Sequence, residues 1–226
     1  MTDADQYERI GSALDRFQEA HFWIHNMEQC YHRADQIRWF LNVFLKALDE
    51  VPQLVSMSLQ NANGFAPWFR EQKELLKADP LISTLSKTRD FVVHQNMLLP
   101  SSAGSVGITE LRGMKLGLQL PIHPLEDSQD ALIRTARVMK EHEDILGLIT
   151  PDEDSLPAVH REWQLDDFDE ELVDLCARAW LRMGQTLTEV MRWQGVEPLP
   201  LSLDCRHGRG DYRMFMMSRE KLMELI

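Results

Sequence analysis

One stretch in the middle of the chain decides how the N-terminal part folds, and it reads Asp79-Pro80-Leu81-Ile82-Ser83-Thr84-Leu85-Ser86-Lys87-Thr88-Arg89-Asp90-Phe91-Val92-Val93-His94-Gln95-Asn96-Met97. Asp79 is a good helix N-cap, because its carboxylate can accept hydrogen bonds from the free amides of the first turn. Pro80 then stands at the first helical position, where its missing N–H costs nothing. Apolar side chains follow at helical spacing, at Leu81, Leu85 and Val92. The stretch therefore predicts a helix with one face buried against other helices.

The polar side of this helix carries three candidate catalytic residues, Arg89, Asp90 and His94. Asp90 and His94 are four residues apart, so they share one face, and the carboxylate can hold one ring nitrogen of the histidine. Arg89 lies about 140° from His94 around the helix. It must reach around with its long side chain, or meet His94 of a second copy of the chain. The simpler alternative is a surface arginine and a surface histidine that share a helix by chance.

Three further helices are predicted before this one. Residues 4–30 and 34–61 carry apolar side chains at spacings of three and four, and they are expected to form an antiparallel pair. Pro52 lies inside the second helix and should kink it or split it. Residues 65–77 follow as a shorter amphipathic helix.

Basic side chains on the helix at 65–77 and on the helix that follows it are candidate substrate-binding residues, namely Arg70, Lys73, Lys77 and Lys87. The first three share the polar side of the helix at 65–77. Their functional interpretation is a path for phosphate groups beside Arg89. The alternative is an ordinary solvated face, which is the commoner role of such charges.

A run of small polar residues at 100–105 suggests a linker, and hence a division into 1–99 and 106–226. The pattern changes after it, because leucines alternate with other residues at 116–120 as in a strand. Helices are predicted at 126–147 and 167–194, and a β-hairpin at 199–216. The fold class is therefore mainly α, with an up-down helical bundle followed by a smaller α+β region.

The composition narrows the range of functions. Among 226 residues, 24 are Lys or Arg and 36 are Asp or Glu, so the net charge is −12. This balance argues against a general nucleic-acid coat, although a local basic pocket remains compatible with it. The sequence shows neither a signal peptide nor 18 consecutive apolar residues, which argues against a membrane partner. Three dispersed cysteines fit a reducing cytoplasm better than a disulfide framework.

Two histidines in the first helix raise a metal alternative. His21 and His25 are four residues apart, a spacing that can hold a metal ion on one helix face. No complete ligand set accompanies them, and packed histidines in an aromatic-rich helix are the favoured interpretation.

Residues 5–98 resemble the HEPN family (higher eukaryotes and prokaryotes nucleotide-binding domain). The resemblance covers the long paired helices, the segment Trp68-Phe69-Arg70-Glu71-Gln72, the helix start at Asp79, and the Arg89-Asp90 to His94 motif. It implies a metal-independent endoribonuclease without a cofactor, whose site forms at a homodimer interface. The family resemblance also implies a role in phage defence, in a toxin–antitoxin pair or in another stress response.

In this hypothesis the substrate is RNA and the reaction is transesterification at a ribose 2′-OH. His94 transfers the proton, Arg89 stabilises the developing charge on phosphate, and Asp90 sets the tautomer of His94. The alternative is a catalytically inactive scaffold of the same type, which dimerises and binds a nucleotide, an antitoxin or another partner protein.

Overall fold

The structure is a computed structural model that describes residues 7–94, 97–110, 113–142, 155–165, 168–198, 200–203 and 212–226, with the backbone alone at 92–94. The described helices are α1 (Gly11–Gln29), α2 (Ala34–Leu59), α3 (Phe65–Ala78), α4 (Pro80–His94), α5 (Ser128–Glu141), α6 (Leu172–Trp193) and α7 (Arg219–Leu225). The described strands are β1 (Ser101–Glu110), β2 (Gly113–Pro121), β3 (Pro157–Gln164) and β4 (Met214–Met216). The chain is therefore mainly helical with one small antiparallel sheet, which confirms the predicted fold class at this coarse level.

The chain folds into two compact units that are not continuous in sequence. The helical unit comprises Met1–Met27, Trp39–Leu98 and Val173–His207. The sheet unit comprises Glu28–Arg38, Leu99–Leu172 and Gly208–Ile226. Almost all of α6 thus belongs with the N-terminal helices, whereas the division at residues 100–105 assigns it to the C-terminal part.

Aromatic packing explains why α6 joins the helical unit. Trp180 of α6 stacks on Phe17 of α1, with ring centroids 4.3 Å apart. The indole N–H of Trp180 also donates to the Phe17 carbonyl at 2.9 Å. Both rings are buried, and burying an aromatic side chain stabilises such a contact by roughly 1.5–3 kcal/mol. A contact between residues so far apart in sequence leaves no local pattern.

The predicted helices of the N-terminal half are present, and α2 runs across Pro52 as one helix. Pro52 therefore does not split it, contrary to one of the two predicted outcomes. Val51 and Val55, on either side of the proline, are buried in the core of the unit. Their packing in the core keeps α2 continuous, although the proline removes one backbone hydrogen bond.

The start of α4 follows the sequence pattern closely. The Asp79 carboxylate accepts from the amide of Leu81 at 2.9 Å and from that of Ile82 at 3.3 Å. Pro80 is the first residue of the helix. Leu81 and Leu85 are buried as predicted, and the side chain of Val92, the third residue of that face, lies outside the described residues.

The sheet has the strand order β2-β1-β3-β4, and all its pairs are antiparallel. The predicted strand at 116–120 lies within β2. One face packs on α5 and α7 around a buried cluster of Val106, Ile122, Ala131, Leu132, Ile133, Ala136, Val159, Met217 and Leu222. Val106 of β1 and its partner Val159 of β3 supply the strand side of this core.

Residues 101–105, which the sequence suggests as a linker, form the first half of β1. Its small residues are required by close packing. A Cβ atom on Gly104 would lie 2.4 Å from the His160 carbonyl oxygen, and one on Gly107 would lie 1.9 Å from the Leu116 carbonyl oxygen. Both distances are far too short for a contact between atoms, so these two positions need glycine for the neighbouring strands to approach.

The described residues do not form the predicted hairpin at 199–216. Residues 200–203 are not in a strand, and β4 pairs with β3. Its turn lies outside the described residues, as does the part of the predicted helix 126–147 beyond residue 142. Within the described ranges, no helix has both the length and the apolar composition to cross a membrane.

Candidate functional site

A groove of about 630 Å³ on the helical unit is the candidate site, because four of the seven predicted site residues line it. It runs along α2, α3 and α4, and α6 contributes one residue. The apolar residues that line it are Leu45, Leu48, Pro52, Met57, Leu76, Ile82, Leu85 and Met183. Its polar lining consists of Asp49, Gln53, Ser56, Lys73, Lys77, Ser83, Ser86, Lys87 and Asp90.

The groove combines an apolar floor with three cations. Lys73 and Lys77 come from α3, and Lys87 comes from α4. The Nζ atom of Lys73 lies 3.5 Å from the Ser56 hydroxyl, so this side chain crosses towards α2. Lys77 pairs with Glu74 at 2.8 Å, but both side chains are largely exposed and such a pair is weak. Within the described part of the chain, Lys87 makes no ion pair.

Arg89 is held by carboxylates of its own unit. Its Nη1 atom donates to Asp90 Oδ1 at 2.7 Å, and its Nη2 atom lies 3.6 Å from Asp49 Oδ2. The pKa of Arg89 is raised, first by the hydrogen bond to Asp90 and then by the charges of Asp49, Asp90 and Glu50. Arg89 therefore joins α4 to α2, and it compensates both aspartates of the groove.

The predicted contact between Asp90 and His94 lies outside the described residues. The backbone of α4 includes His94, and its side chain is not described. The Asp90 carboxylate accepts from the neighbouring Arg89. The catalytic roles of Arg89, Asp90 and His94 therefore stay predictions.

The structure brings together three of the four predicted substrate-binding residues. Lys73, Lys77 and Lys87 line the same groove as Asp90, whereas Arg70 is exposed on α3 and is not among the lining residues. The sequence does not predict the apolar floor that α2 supplies. Its apolar side chains have the same spacing as those of a helix whose apolar side is fully covered by other helices. The one signal in the sequence is Met57, an apolar residue that stands outside the buried stripe of α2, and the structure leaves it 67% exposed.

The histidine pair of α1 has an aromatic environment. The rings of His21 and His25 are 4.7 Å apart and edge to face, and His21 also stacks on Trp180 at 4.7 Å. Across the ranges that the structure describes, no three His, Cys, Asp or Glu side chains are grouped so that they could hold a metal ion. The described residues thus offer no ligand set for the metal alternative.

The described parts of the chain define a mainly helical protein with an apolar, lysine-bearing groove. The chain belongs to the Bacteriophage lambda protein ea47 family, whose model matches residues 10–209. The comparisons with curated proteins and with solved structures gave no match.

The family match corrects the resemblance that was based in part on the helix with Arg89 and His94. The assignment to the HEPN family is wrong, because the matching family is that of Ea47 and no HEPN family is detected. Apart from helical features that many proteins share, the resemblance depended on one arginine, one histidine and their spacing on a helix. Such spacing recurs in unrelated helices. In this chain Arg89 has a local reason to be there, since it binds Asp49 of α2.

Proposed function

We propose that this chain is a binding protein, and that its groove holds an amphipathic helix of a partner protein. The apolar face of that helix would lie on the groove floor, and acidic side chains beside that face would meet the lysines. The observation that carries the proposal is the combination of an apolar floor with Lys73, Lys77 and Lys87 in one groove. A cytoplasmic setting is part of the proposal, because three dispersed cysteines suit a reducing compartment.

The dimensions of the groove suit a short helix. Along α2 the lining runs from Leu45 to Met57, and successive lining residues are one or three positions apart. At 1.5 Å per residue this is roughly 18 Å, or about three turns of an α-helix. Helices that bind in grooves are anchored by apolar residues on one face over a similar length. A volume of about 630 Å³ has room for several such side chains.

The charges of the groove favour an acidic partner. Its two carboxylates, Asp49 and Asp90, are both engaged by Arg89. The lysines are not engaged by those aspartates, so they present positive charge in a chain whose net charge is −12. Complementary charge of this kind fixes orientation and speeds association, and salt weakens its effect.

The lining favours a protein partner over RNA. None of the described residues that line the groove is aromatic. Proteins that bind single-stranded nucleic acid usually stack bases on aromatic side chains, which contributes about 1–3 kcal/mol per base. The guanidinium of Arg89 is also occupied by carboxylates that repel phosphate.

A matched pair of variants tests the proposal. Met57 lines the groove and is 67% exposed, whereas Leu75 is 65% exposed and is not among the lining residues. The ligand is a synthetic amphipathic helix of about four turns with a leucine stripe flanked by glutamates. Fluorescence anisotropy should show that Met57→Asp weakens binding by about tenfold or more, which corresponds to ~1.4 kcal/mol. Leu75→Asp should leave the affinity within about twofold, since it changes no groove contact.

Two results would contradict the proposal. The first is a wild-type chain that does not bind the peptide, or a Leu75→Asp variant that loses as much affinity as Met57→Asp. The second is cleavage of RNA by the wild-type chain in the presence of a chelator, with the activity lost in Arg89→Ala and in His94→Ala. That second result would replace the binding proposal with the ribonuclease hypothesis.

A further inference from the structure

The edge strand β2 of the sheet unit has an apolar side that the described helices of the unit leave exposed. Leu116 and Leu118 are 46% and 44% exposed. They pair with Ile108 and Val106 of β1, each only 3% exposed. Residues directly opposite in an antiparallel pair lie on the same face of the sheet. The two leucines therefore lie on the face of the sheet that packs on the core, but outside the part of that face that the core cluster covers.

The limits of the core cluster show where the cover ends. Its buried members come from β1, β3, α5, α7 and the segments beside them, and Leu120 of β2 packs against it. Leu116 and Leu118 are not part of it. In the sheet that the structure describes, β2 is paired with β1 on one side only. Its other backbone edge is thus available to a further strand, as in other exposed edge strands.

We propose that a second copy of this chain adds its own β2 to this edge, antiparallel and with Gly117 opposite Gly117. The sequence of β2 is nearly symmetric about that glycine, reading Met114-Lys115-Leu116-Gly117-Leu118-Gln119-Leu120. In this register Leu116 meets Leu118 of the second copy, and Met114 meets Leu120. The exposed leucines of both copies then form one apolar cluster across the seam.

The charges of the strand fit the same register. Lys115 is the one charged residue of β2, and it stands opposite Gln119 of the second copy. No like charges therefore face each other across the seam, although the chain as a whole is strongly acidic. Pro121 ends the strand, and its missing N–H limits the ladder at that point. The opposite edge of the sheet, β4, has three residues and offers much less backbone to pair.

The proposed surface is distinct from the groove, since all residues of β2 belong to the sheet unit. Its association follows the rule that a long edge strand with few charges can pair with another strand. The two-fold arrangement closes on itself, so it gives a dimer rather than a fibre. The inference therefore stands or falls independently of peptide binding in the groove.

The first test measures the mass of the full chain in solution over a range of concentrations. The wild type should have the mass of two chains. Leu118→Lys should have the mass of one chain, because it places an ammonium group in the apolar seam. Leu125→Lys is the matched control, since Leu125 is 45% exposed in the same unit but lies outside β2. The control variant should stay dimeric.

The second test fixes the register and does not depend on disrupting the strand. Lys115 and Gln119 are both exposed, so cysteines there should not disturb folding. The double variant Lys115→Cys with Gln119→Cys should form a disulfide-linked dimer on mild oxidation. Within one strand the two positions are roughly 13 Å apart, too far for a bond inside one chain. Neither single variant, nor the wild type with its three native cysteines, should cross-link to the same extent.

A wild type of one-chain mass at every concentration would overturn the proposal. A Leu118→Lys chain that remains dimeric, with no cross-link in the double cysteine variant, would equally overturn it and would show that the copies meet elsewhere. A strong cross-link in Lys115→Cys alone would exclude the register centred on Gly117.

Discussion

Arg89 in the helical unit and Arg161 in the sheet unit are held in opposite ways. The Arg89 side chain is 25% exposed and lies between the carboxylates of Asp90 and Asp49. Arg161 of β3 is completely buried. Its guanidinium donates to the Ser102 hydroxyl at 2.8 Å, to the Glu126 carbonyl at 2.6 Å and to the His123 carbonyl at 3.3 Å, and it stacks 3.6 Å above Trp163.

The two environments move the pKa of the two arginines in opposite directions. The hydrogen bond to Asp90 raises the pKa of Arg89. Burial lowers the pKa of Arg161 to about 10, although nearby acidic groups act against it. The comparison teaches that a sequence motif can single out the arginine whose charge is already compensated. Arg161, which binds three groups of the sheet unit, lies in a strand without any recognised motif.

The largest effect is expected for Arg161→Ala. Three acceptors around the buried guanidinium would lose this donor, and an acceptor left unsatisfied away from water costs about 1–3 kcal/mol. The free energy of unfolding in urea should fall by about 3 kcal/mol. Arg161→Lys keeps the positive charge, but its ammonium group lacks the planar guanidinium that reaches all three acceptors. Its loss of stability should therefore be intermediate. A loss below about 1 kcal/mol in Arg161→Ala would contradict the structural role of this arginine.

A smaller and pH-dependent effect is expected for Tyr31→Phe. The Tyr31 hydroxyl is buried in the sheet unit and donates to Glu171 at 2.9 Å. Burial, followed by the charge of Glu171, raises the pKa of Tyr31. Above about pH 10 the unfolded tyrosine loses its proton while the folded one keeps it. The stability linked to Tyr31 is therefore fully present below that pH and is lost as the pH rises above it.

Urea unfolding at two pH values measures this. Near neutral pH the Tyr31→Phe variant should be less stable than the wild type by about 1 kcal/mol. The gap should close above about pH 10. Tyr212→Phe is the control, because Tyr212 is only half-buried and its hydroxyl lies 3.3 Å from the same glutamate. A gap that stays constant with pH would show that Tyr31 does not resist ionisation.

The smallest effect is expected for Arg89→Ala, the counterpart of the first variant. Its ion pairs reach solvent, and such pairs contribute ~0.2–1 kcal/mol. A double-mutant cycle between Arg89→Ala and Asp49→Asn should give a coupling below about 1 kcal/mol that shrinks further in salt. A coupling above about 2 kcal/mol would mean that Arg89 is a structural clamp like Arg161.

Local features of the fold could be predicted from the sequence, and distant ones could not. The start of α4 follows from the capping preference of Asp79 and the fixed backbone of Pro80. The strand character of 116–120 follows from alternation. Residues 101–105 look like a linker, because the glycines that admit neighbouring strands also occur in loops.

The candidate site was predictable in its charges but not in its floor. The sequence predicts Arg70, Lys73, Lys77 and Lys87 as basic substrate-binding residues, and the structure places the three lysines, but not Arg70, in one groove. The floor depends on which parts of the apolar stripe of α2 remain uncovered. That is decided by the placing of α3 and α4, which helical spacing alone does not contain.

The most direct test of the binding proposal reverses the charge of the groove. Two peptides share one leucine stripe, which is flanked by glutamates in the first and by lysines in the second. The test variant carries Lys77→Glu and Lys87→Glu, both at exposed groove positions. The control carries Lys46→Glu and Arg70→Glu, which change the net charge equally at exposed positions outside the groove lining.

At low salt the wild type and the control should prefer the glutamate peptide by about tenfold, and the groove variant should prefer the lysine peptide. A groove variant that still prefers the glutamate peptide, or a control that reverses as fully, would contradict the proposal that these lysines receive an acidic partner helix.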